Sequence, residues 1–160
     1  HLARFPSVMV GERAGIKIGV LSANIELEGL VPKAWYGDTQ WLDPVANANK
    51  YAKLLREEEK CDFVICLSHL GYQYRDEKIS DVKLASLSKN IDLIIGGHTH
   101  TFMKEPRIIS NLDGKPVFIH QAGWGGILLG KVDLLIERNR RKVCVNCTNL
   151  PVGEVLTGEN

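Results

Sequence analysis

Two short apolar runs with a helical pattern between them restrict the fold of this chain more than any other feature. Phe63 to Leu67 shows little alternation of apolar and polar residues, which is typical of a strand buried on both faces of a parallel sheet. Ile91 to Ile95 predicts a second buried strand. Between them, Ser80 can cap a short helix whose apolar positions run from Val82 to Leu87, and Asn90 is a suitable end. We therefore expect a βαβ unit over 63–95.

The rest of the chain predicts an α/β fold in which this βαβ unit is followed by a β-rich second half. Ile16 to Leu21 predicts an earlier strand, whereas 22–40 has no clear period and predicts a long loop. Asp43 followed by Pro44 predicts a helix start, and apolar residues at helical spacing continue that helix to about Lys60. Later strands are expected at Arg107 to Ser110, Val117 to Gln121, Ile127 to Ile136 and Arg141 to Cys147, with a turn at Asp113-Gly114.

Length and charge favour a single domain over 1–160. The chain has 160 residues, 44% of them hydrophobic, and a formal net charge of +1. This balance excludes disorder and shows no sign of a nucleic-acid-binding surface, so a small molecule is the expected partner. No apolar run approaches the roughly 20 residues of a membrane helix, and His1 to Val10 does not show the order of regions that marks an export signal. Because the sequence begins at His1, we expect it to be a product of processing or a piece of a longer protein.

The four cysteines do not form the dense pattern of a disulfide scaffold and leave the compartment open. Cys61 and Cys66 bracket an apolar run and are interpreted as small hydrophobic residues. Cys144 and Cys147 form a CxxC, a spacing that can indicate zinc or redox chemistry. Here it lies in a predicted strand, where residues three apart face opposite sides. We therefore expect neither a shared metal nor a bridge.

Three of the five histidines come directly after the two buried strands. His69 follows the first, and His98 and His100 follow the second behind Gly96 and Gly97. Because a right-handed βαβ crossover puts the ends of both strands at one edge of the sheet, His69 and His98 are expected to converge. In an extended chain His98 and His100 would lie on the same side, roughly 6.5 Å apart. That separation suits one ring on each of two metal ions about 3.5 to 4 Å apart, the spacing of two-metal phosphoester hydrolases.

A lone histidine near a strand end is usually a surface or hydrogen-bonded residue, but three at one sheet edge favour metal ligation. His69, His98 and His100 are therefore our candidate metal ligands. His120 lies on a predicted strand with no second ligand at useful spacing, and we interpret it as structural or as supporting another residue. No catalytic acid, base or nucleophile is assigned in this chain.

These segments resemble the calcineurin-like metallophosphoesterases, and within them the 5'-nucleotidase branch. The resemblance is carried by Phe63 to Gly71, Asp92 to His100, Gln121 to Gly125 and Leu129 to Leu134, with the strand at Gly15 to Val20. It implies a two-sheet sandwich flanked by helices and a binuclear centre of divalent ions, which can be Zn, Mn, Mg, Fe or Ca. It further implies hydrolysis of phosphate esters or nucleotides by a metal-activated hydroxide, with His69 and His98 on one ion and His100 on the other. Members of this branch are often exported or periplasmic.

The sequence lacks the motifs that carry the family's other ligands: Asp-x-His, a Gly-Asp pair supplying the bridging carboxylate, and Asn-His-Glu or Asn-His-Asp. Gly37-Asp38 imitates the second motif but stands alone. Three neutral imidazoles cannot offset the repulsion of two adjacent divalent ions, so a carboxylate is needed. We therefore expect the carboxyl-terminal half of a catalytic domain. The alternative is a noncatalytic metal-binding or structural fragment. An incomplete sandwich would leave apolar faces such as Ile16 to Leu21 partly open and favour self-association.

Overall fold

A computed structural model of the protein describes residues 7–137 and 142–153. All three helices lie in the first part of the described chain, among four strands, and the described residues after 100 form strands and loops. The elements are β1 (Val8–Arg13), β2 (Ile16–Asn24), α1 (Lys33–Tyr36), α2 (Pro44–Glu57), β3 (Phe63–His69), α3 (Asp81–Leu87), β4 (Leu93–Ile95), β5 (Arg107–Ser110), β6 (Pro116–His120), β7 (Leu128–Glu137) and β8 (Lys142–Pro151).

The main sheet has six strands in the order β1-β2-β3-β4-β6-β5. The four inner strands are parallel to one another, and the antiparallel strands β1 and β5 form its edges. Strands β3 and β4 pair in parallel with α3 between them in the chain, which confirms the predicted βαβ unit. Strands β7 and β8 form a second, antiparallel sheet. The predicted α/β fold with a β-rich second half is confirmed.

Each face of the main sheet packs against a different layer. On one face, buried residues of β2, β3 and β4 pack with Leu55 of α2 and Leu84 of α3. On the other, Phe63 and Leu93 pack against Val145 and Cys147 of β8. The inner strands are thus covered on both sides, which explains their nearly continuous apolar sequence.

Helix α2 begins where the sequence predicts and ends earlier than expected. Asp43 caps it by accepting a hydrogen bond of 2.6 Å from the Ala46 amide, and Pro44 occupies the first turn. The expected end at about Lys60 is wrong, because the helix stops at Glu57 and Lys60 has a left-handed φ of 58° that turns the chain towards β3. Likewise α3 ends at Leu87, before Asn90, which is left-handed with φ 64°.

The amino-terminal part departs most from the sequence predictions. Strand β2 continues to Asn24, and the short helix α1 interrupts the segment that was expected to be a loop over 22–40. The expectation that apolar faces such as that of Ile16 to Leu21 lie partly open applies to one face of β2, because Ile16, Ile18 and Val20 are half-buried whereas Leu21 on the other face is buried. More exposed apolar residues occur on edge strand β1 and on the second sheet.

Three cysteines are free and buried, as a hydrophobic interpretation requires: Cys61, Cys66 and Cys147. Cys147 faces the core between the sheets together with Val145. The side chain of Cys144 and residue Arg141 lie outside the described residues. Among the helices described, none is both long and apolar enough to cross a membrane.

Candidate metal centre

The carboxyl ends of β3 and β4 bring two histidines together. His69 is the last residue of β3. His98 lies in the loop that follows β4, the strand that pairs with β3. Their ring centroids lie 5.3 Å apart, with the ring planes at 70°. The expected convergence of His69 and His98 is therefore present in the structure.

This arrangement of two rings fits a shared metal ion. Two imidazole nitrogens about 2.0–2.1 Å from one ion at a tetrahedral angle place their ring centroids roughly 5 Å apart. A Cβ added to Gly97 would lie 3.0 Å from His69 Nδ1, so the Nδ1 side of this ring faces the loop backbone. Burial, aided by the charges of His69, Lys78 and His100, lowers the pKa of His98. A lowered pKa favours the neutral imidazole, the form that binds metal.

His100 does not join this pair in the way an extended chain would place it. His98 and His100 are both left-handed, with φ of 69° and 54°, so the assumption of an extended segment is wrong. The ring of His100 stacks on Trp124, with centroids 5.8 Å apart and planes at 17°. Within the described part of the chain, no group of three or more His, Cys, Asp or Glu side chains is arranged to hold a metal ion. The residues present thus fit part of a metal centre.

A buried carboxyl group lies beneath the histidine-bearing edge. Asp81 Oδ1 accepts a hydrogen bond of 2.5 Å from Ser68 Oγ, next to His69, and the Asp81 amide donates to the Gly71 carbonyl at 2.8 Å. Its Oδ2 occupies the place that a side chain on Gly96 would need. In the sequence Asp81 is visible only as part of a helix start, since an acidic residue in the first turn is common on exposed helices.

The other sequence candidates lie elsewhere. His120 is buried, and its Nε2 is 2.9 Å from Asn149 Oδ1, so it joins β6 to β8 behind the site. Asp38 lies in the exposed segment after α1. The sequence places Gln121 to Gly125 among the segments that carry the resemblance but assigns no role to Trp124 or to Gln121, the residue after β6 whose side chain bonds to the histidine loop. Both belong to a Gln-Ala-Gly-Trp-Gly segment whose spacing predicts no chemistry by itself.

An open cavity of about 270 Å³ adjoins the histidine edge. Gly96 and Trp124 line it together with the glycine-rich segment that follows Trp124 and residues of β7. Glycines leave space for a ligand to approach the backbone closely. The cavity borders the histidine-bearing loop through Gly96 and Trp124, although His69, His98 and His100 do not line it.

Comparison with known proteins finds several sequence relatives. No protein-family profile matches the chain. It is 37% identical over 95 residues to the trifunctional nucleotide phosphoesterase protein YfkN of Bacillus subtilis, covering 59% of this chain and 6% of that protein. It is 32% identical over 155 residues to an apyrase of Tabanus yao, covering 88% of this chain and 26% of the apyrase. The chain thus spans only a small part of the length of these two relatives.

The fold has solved counterparts. A 5'-nucleotidase precursor from Thermus thermophilus superimposes with a TM-score of 0.71 and 23% identity over 91% of this chain and 29% of its own. This likeness confirms the predicted sandwich architecture.

Proposed function

We propose that this chain, which is similar in sequence to a nucleotide phosphoesterase and an apyrase and in fold to a 5'-nucleotidase precursor, forms part of the catalytic domain of a metal-dependent phosphoesterase of the calcineurin-like, 5'-nucleotidase type. Nucleotides and related small phosphate esters are the proposed substrates. The observation that carries the proposal is the approach of His69 and His98 at the carboxyl edge of the parallel strands, with ring centroids 5.3 Å apart.

The proposed ligands are His69 and His98 for one divalent ion and His100 for a second. Of the candidate metals Zn, Mn, Mg, Fe and Ca, imidazole ligands suit Zn and Fe, whereas Mg, Ca and Mn prefer oxygen ligands and would depend on the carboxylates. When bound, such ions polarise phosphoryl oxygens and lower the pKa of bound water. His100 has the support of Trp124, whose ring stacks on it and limits the orientations that His100 can adopt.

Charge and space around the histidines suit an anionic substrate. Lys78 lies close enough for its positive charge to lower the pKa of His98, and the same charge attracts a phosphate group. The cavity beside Gly96 and Trp124 provides room for the leaving group. His69 and His98 themselves serve as ligands in this proposal and are not assigned as general bases.

We also propose that the essential carboxylates come from chain outside these 160 residues. Two close divalent ions repel each other, and the neutral imidazoles of His69, His98 and His100 do not offset that repulsion. Asp81 is the buried carboxyl group nearest to the loop backbone, but it bonds to Ser68 and faces Gly96 from beneath. The single domain over 1–160 is therefore proposed as one part of a larger catalytic unit.

Metal binding and turnover test this proposal separately. We expect the chain to bind Zn²⁺ or Mn²⁺ in equilibrium dialysis and His69→Ala or His98→Ala to weaken binding at least about tenfold, whereas Asp38→Asn leaves it unchanged. With either metal, the chain should not hydrolyse p-nitrophenyl phosphate, its bis-ester or nucleoside monophosphates. Turnover by the chain alone would contradict our assignment of the carboxylates to other segments. Equal metal affinity in His98→Ala and the unmodified chain would contradict the metal site.

A noncatalytic metal-binding fragment is the second candidate. It is favoured by the separation of His100, which stacks on Trp124 instead of joining His69 and His98. A larger protein containing this chain distinguishes the two candidates, because only the enzymatic proposal predicts that His98→Ala abolishes phosphoester hydrolysis there. Full hydrolysis in that variant would favour the noncatalytic candidate.

A further inference from the structure

The side chain of Gln121 lies beneath the loop that carries two of the candidate ligands. Gln121 is 1% exposed and directly follows β6. Its Nε2 donates a hydrogen bond of 2.8 Å to the Gly97 carbonyl. Its Oε1 accepts from the Thr101 amide and from Thr99 Oγ1, the latter at 3.3 Å. One buried amide thus bonds to alternate residues of the loop 97–101, and the histidines occupy the two positions between them.

The backbone of this loop needs such support. His98 and His100 are left-handed, with φ of 69° and 54°, a conformation that residues other than glycine seldom adopt. Conformations of this kind persist where surrounding contacts determine them. The bonds from Gln121 to Gly97 and Thr101 fix the loop immediately before the first of these histidines and immediately after the second.

Gln121 is itself held in place, and the contact extends to the other histidine-bearing segment. The Gln121 carbonyl accepts a hydrogen bond of 3.1 Å from the Met103 amide, which anchors its backbone. Thr99 Oγ1, already bonded to Gln121, also accepts from the Tyr72 amide at 2.9 Å. Tyr72 lies in the connection that follows His69. A continuous set of hydrogen bonds therefore joins β6, the 97–101 loop and the segment after β3.

We infer that Gln121 is a positioning residue whose side-chain amide holds the 97–101 loop in the conformation that turns His98 towards His69. Its effect on metal binding rests on the proposed function, whereas its effect on loop conformation does not. A neutral amide suits this position because it combines a donor for the Gly97 carbonyl with an acceptor for the Thr101 amide.

Gln121→Met removes the donor and the acceptor at similar side-chain length. We expect amide hydrogen exchange at Thr101 to rise about tenfold or more, because a buried hydrogen bond is lost. Zn²⁺ affinity, measured by titration calorimetry, should fall about 10- to 100-fold, as is typical when support of a ligand is removed. The matched control is Asn111→Leu. It removes the hydrogen bonds that Asn111 Oδ1 accepts from the Asp113 and Lys115 amides in the β5–β6 turn, which lies at the other end of the parallel strands from the histidines. It should change neither measurement.

Gln121→Glu tests the donor of the side-chain amide separately from its acceptor. It keeps an acceptor for the Thr101 amide and places an oxygen against the Gly97 carbonyl, which also accepts a bond of 2.9 Å from the Thr99 amide. Above neutral pH, where the introduced carboxyl is ionised and cannot donate to the Gly97 carbonyl, exchange should therefore rise at Thr99 while Thr101 stays protected, and this variant carries the test if Gln121→Met does not fold. Unchanged exchange at Thr101 in folded Gln121→Met, or at Thr99 in Gln121→Glu, would overturn the inference. If the unmodified chain binds no Zn²⁺, the proposed function loses its metal site, and exchange still decides the role of Gln121.

Discussion

At the scale of single residues, Asp81 combines burial with an incomplete set of partners. Burial raises its pKa from 3.8 to about 6, although the hydrogen bond from Ser68 acts in the opposite direction. Its Oδ2 has no hydrogen-bond partner in the described part of the chain. Because the folded pKa exceeds the unfolded value, the folded state binds more protons between about pH 4 and pH 6. Ionisation of Asp81 therefore lowers stability as the pH rises through this window.

We predict that Asp81→Asn removes this decline. The amide keeps an acceptor for Ser68 Oγ and carries no charge. From pH 4 to pH 6.5 the free energy of unfolding of the original chain should decrease, relative to that of the variant, by on the order of 2–3 kcal/mol. Urea unfolding in EDTA at several pH values measures this difference. The control is Asp38→Asn, an exposed carboxyl, which should follow the original chain. Parallel pH profiles of Asp81→Asn and the original chain would contradict the prediction.

The histidine pair could be predicted from the sequence because it depends only on topology. Once two buried strands and a helix are recognised, handedness brings His69 and His98 to one edge. The stacking of His100 on Trp124 and the bonds from Gln121 depend on the left-handed backbone at His98 and His100. Positive φ at a histidine leaves no pattern in a single sequence, so these contacts could not be predicted.

At the scale of secondary-structure elements, α2 depends on its cap. Asp43 accepts a hydrogen bond of 2.6 Å from the Ala46 amide, which would otherwise lack an intrahelical acceptor. We predict that Asp43→Ala lowers the free energy of unfolding by about 1 kcal/mol. Thermal or urea unfolding measures the change, with Asp38→Ala as the control for loss of an exposed carboxylate. Equal destabilisation by both substitutions would show that the cap contributes nothing specific.

Most of the elements that sequence patterns found have a buried face, although β5 was also found with three of its four residues exposed. Helix α2 and strand β3 each bury several residues, so apolar spacing marks them. Strand β1 was missed because five of its six residues are exposed, which leaves no alternation to detect. It forms through backbone pairing with β2 across the turn at Ala14 and Gly15, where both residues have positive φ. Such a turn suits the twist of a two-stranded hairpin.

At the scale of the whole molecule, different layers cover the two faces of the main sheet, and the carboxyl ends of its inner strands stay partly exposed. Helices α2 and α3 pack against one face, whereas the two-stranded sheet of β7 and β8 packs against the other. At the carboxyl edge, Leu67 and Ile95 stay exposed beside the histidines. The surface that bears the candidate ligands is therefore partly apolar. A complementary segment of a larger domain would bury these apolar side chains by packing on this surface.

The outer face of the second sheet presents a further apolar patch. Leu129 pairs with Leu150 across the strands, and next to this pair the Ile127 carbonyl accepts a hydrogen bond from the Val152 amide. These four residues are exposed, whereas the exposed Leu135 is separated from them by the Lys131–Asp133 ion pair. In a chain with a net charge of +1, little electrostatic repulsion opposes association through such a patch.

We predict that the chain self-associates through this patch and that Leu129→Lys weakens the association. Light scattering at increasing concentration should give an apparent mass above the 17.8 kDa of one chain, and the substitution should shift it back towards that value. Thr148→Lys adds the same charge on the outward side of β8 without removing an apolar residue, so it separates charge from hydrophobic contact. An equal shift by both variants would assign the effect to charge. A monomer at every concentration would mean that the exposed leucines are too few to hold two copies together.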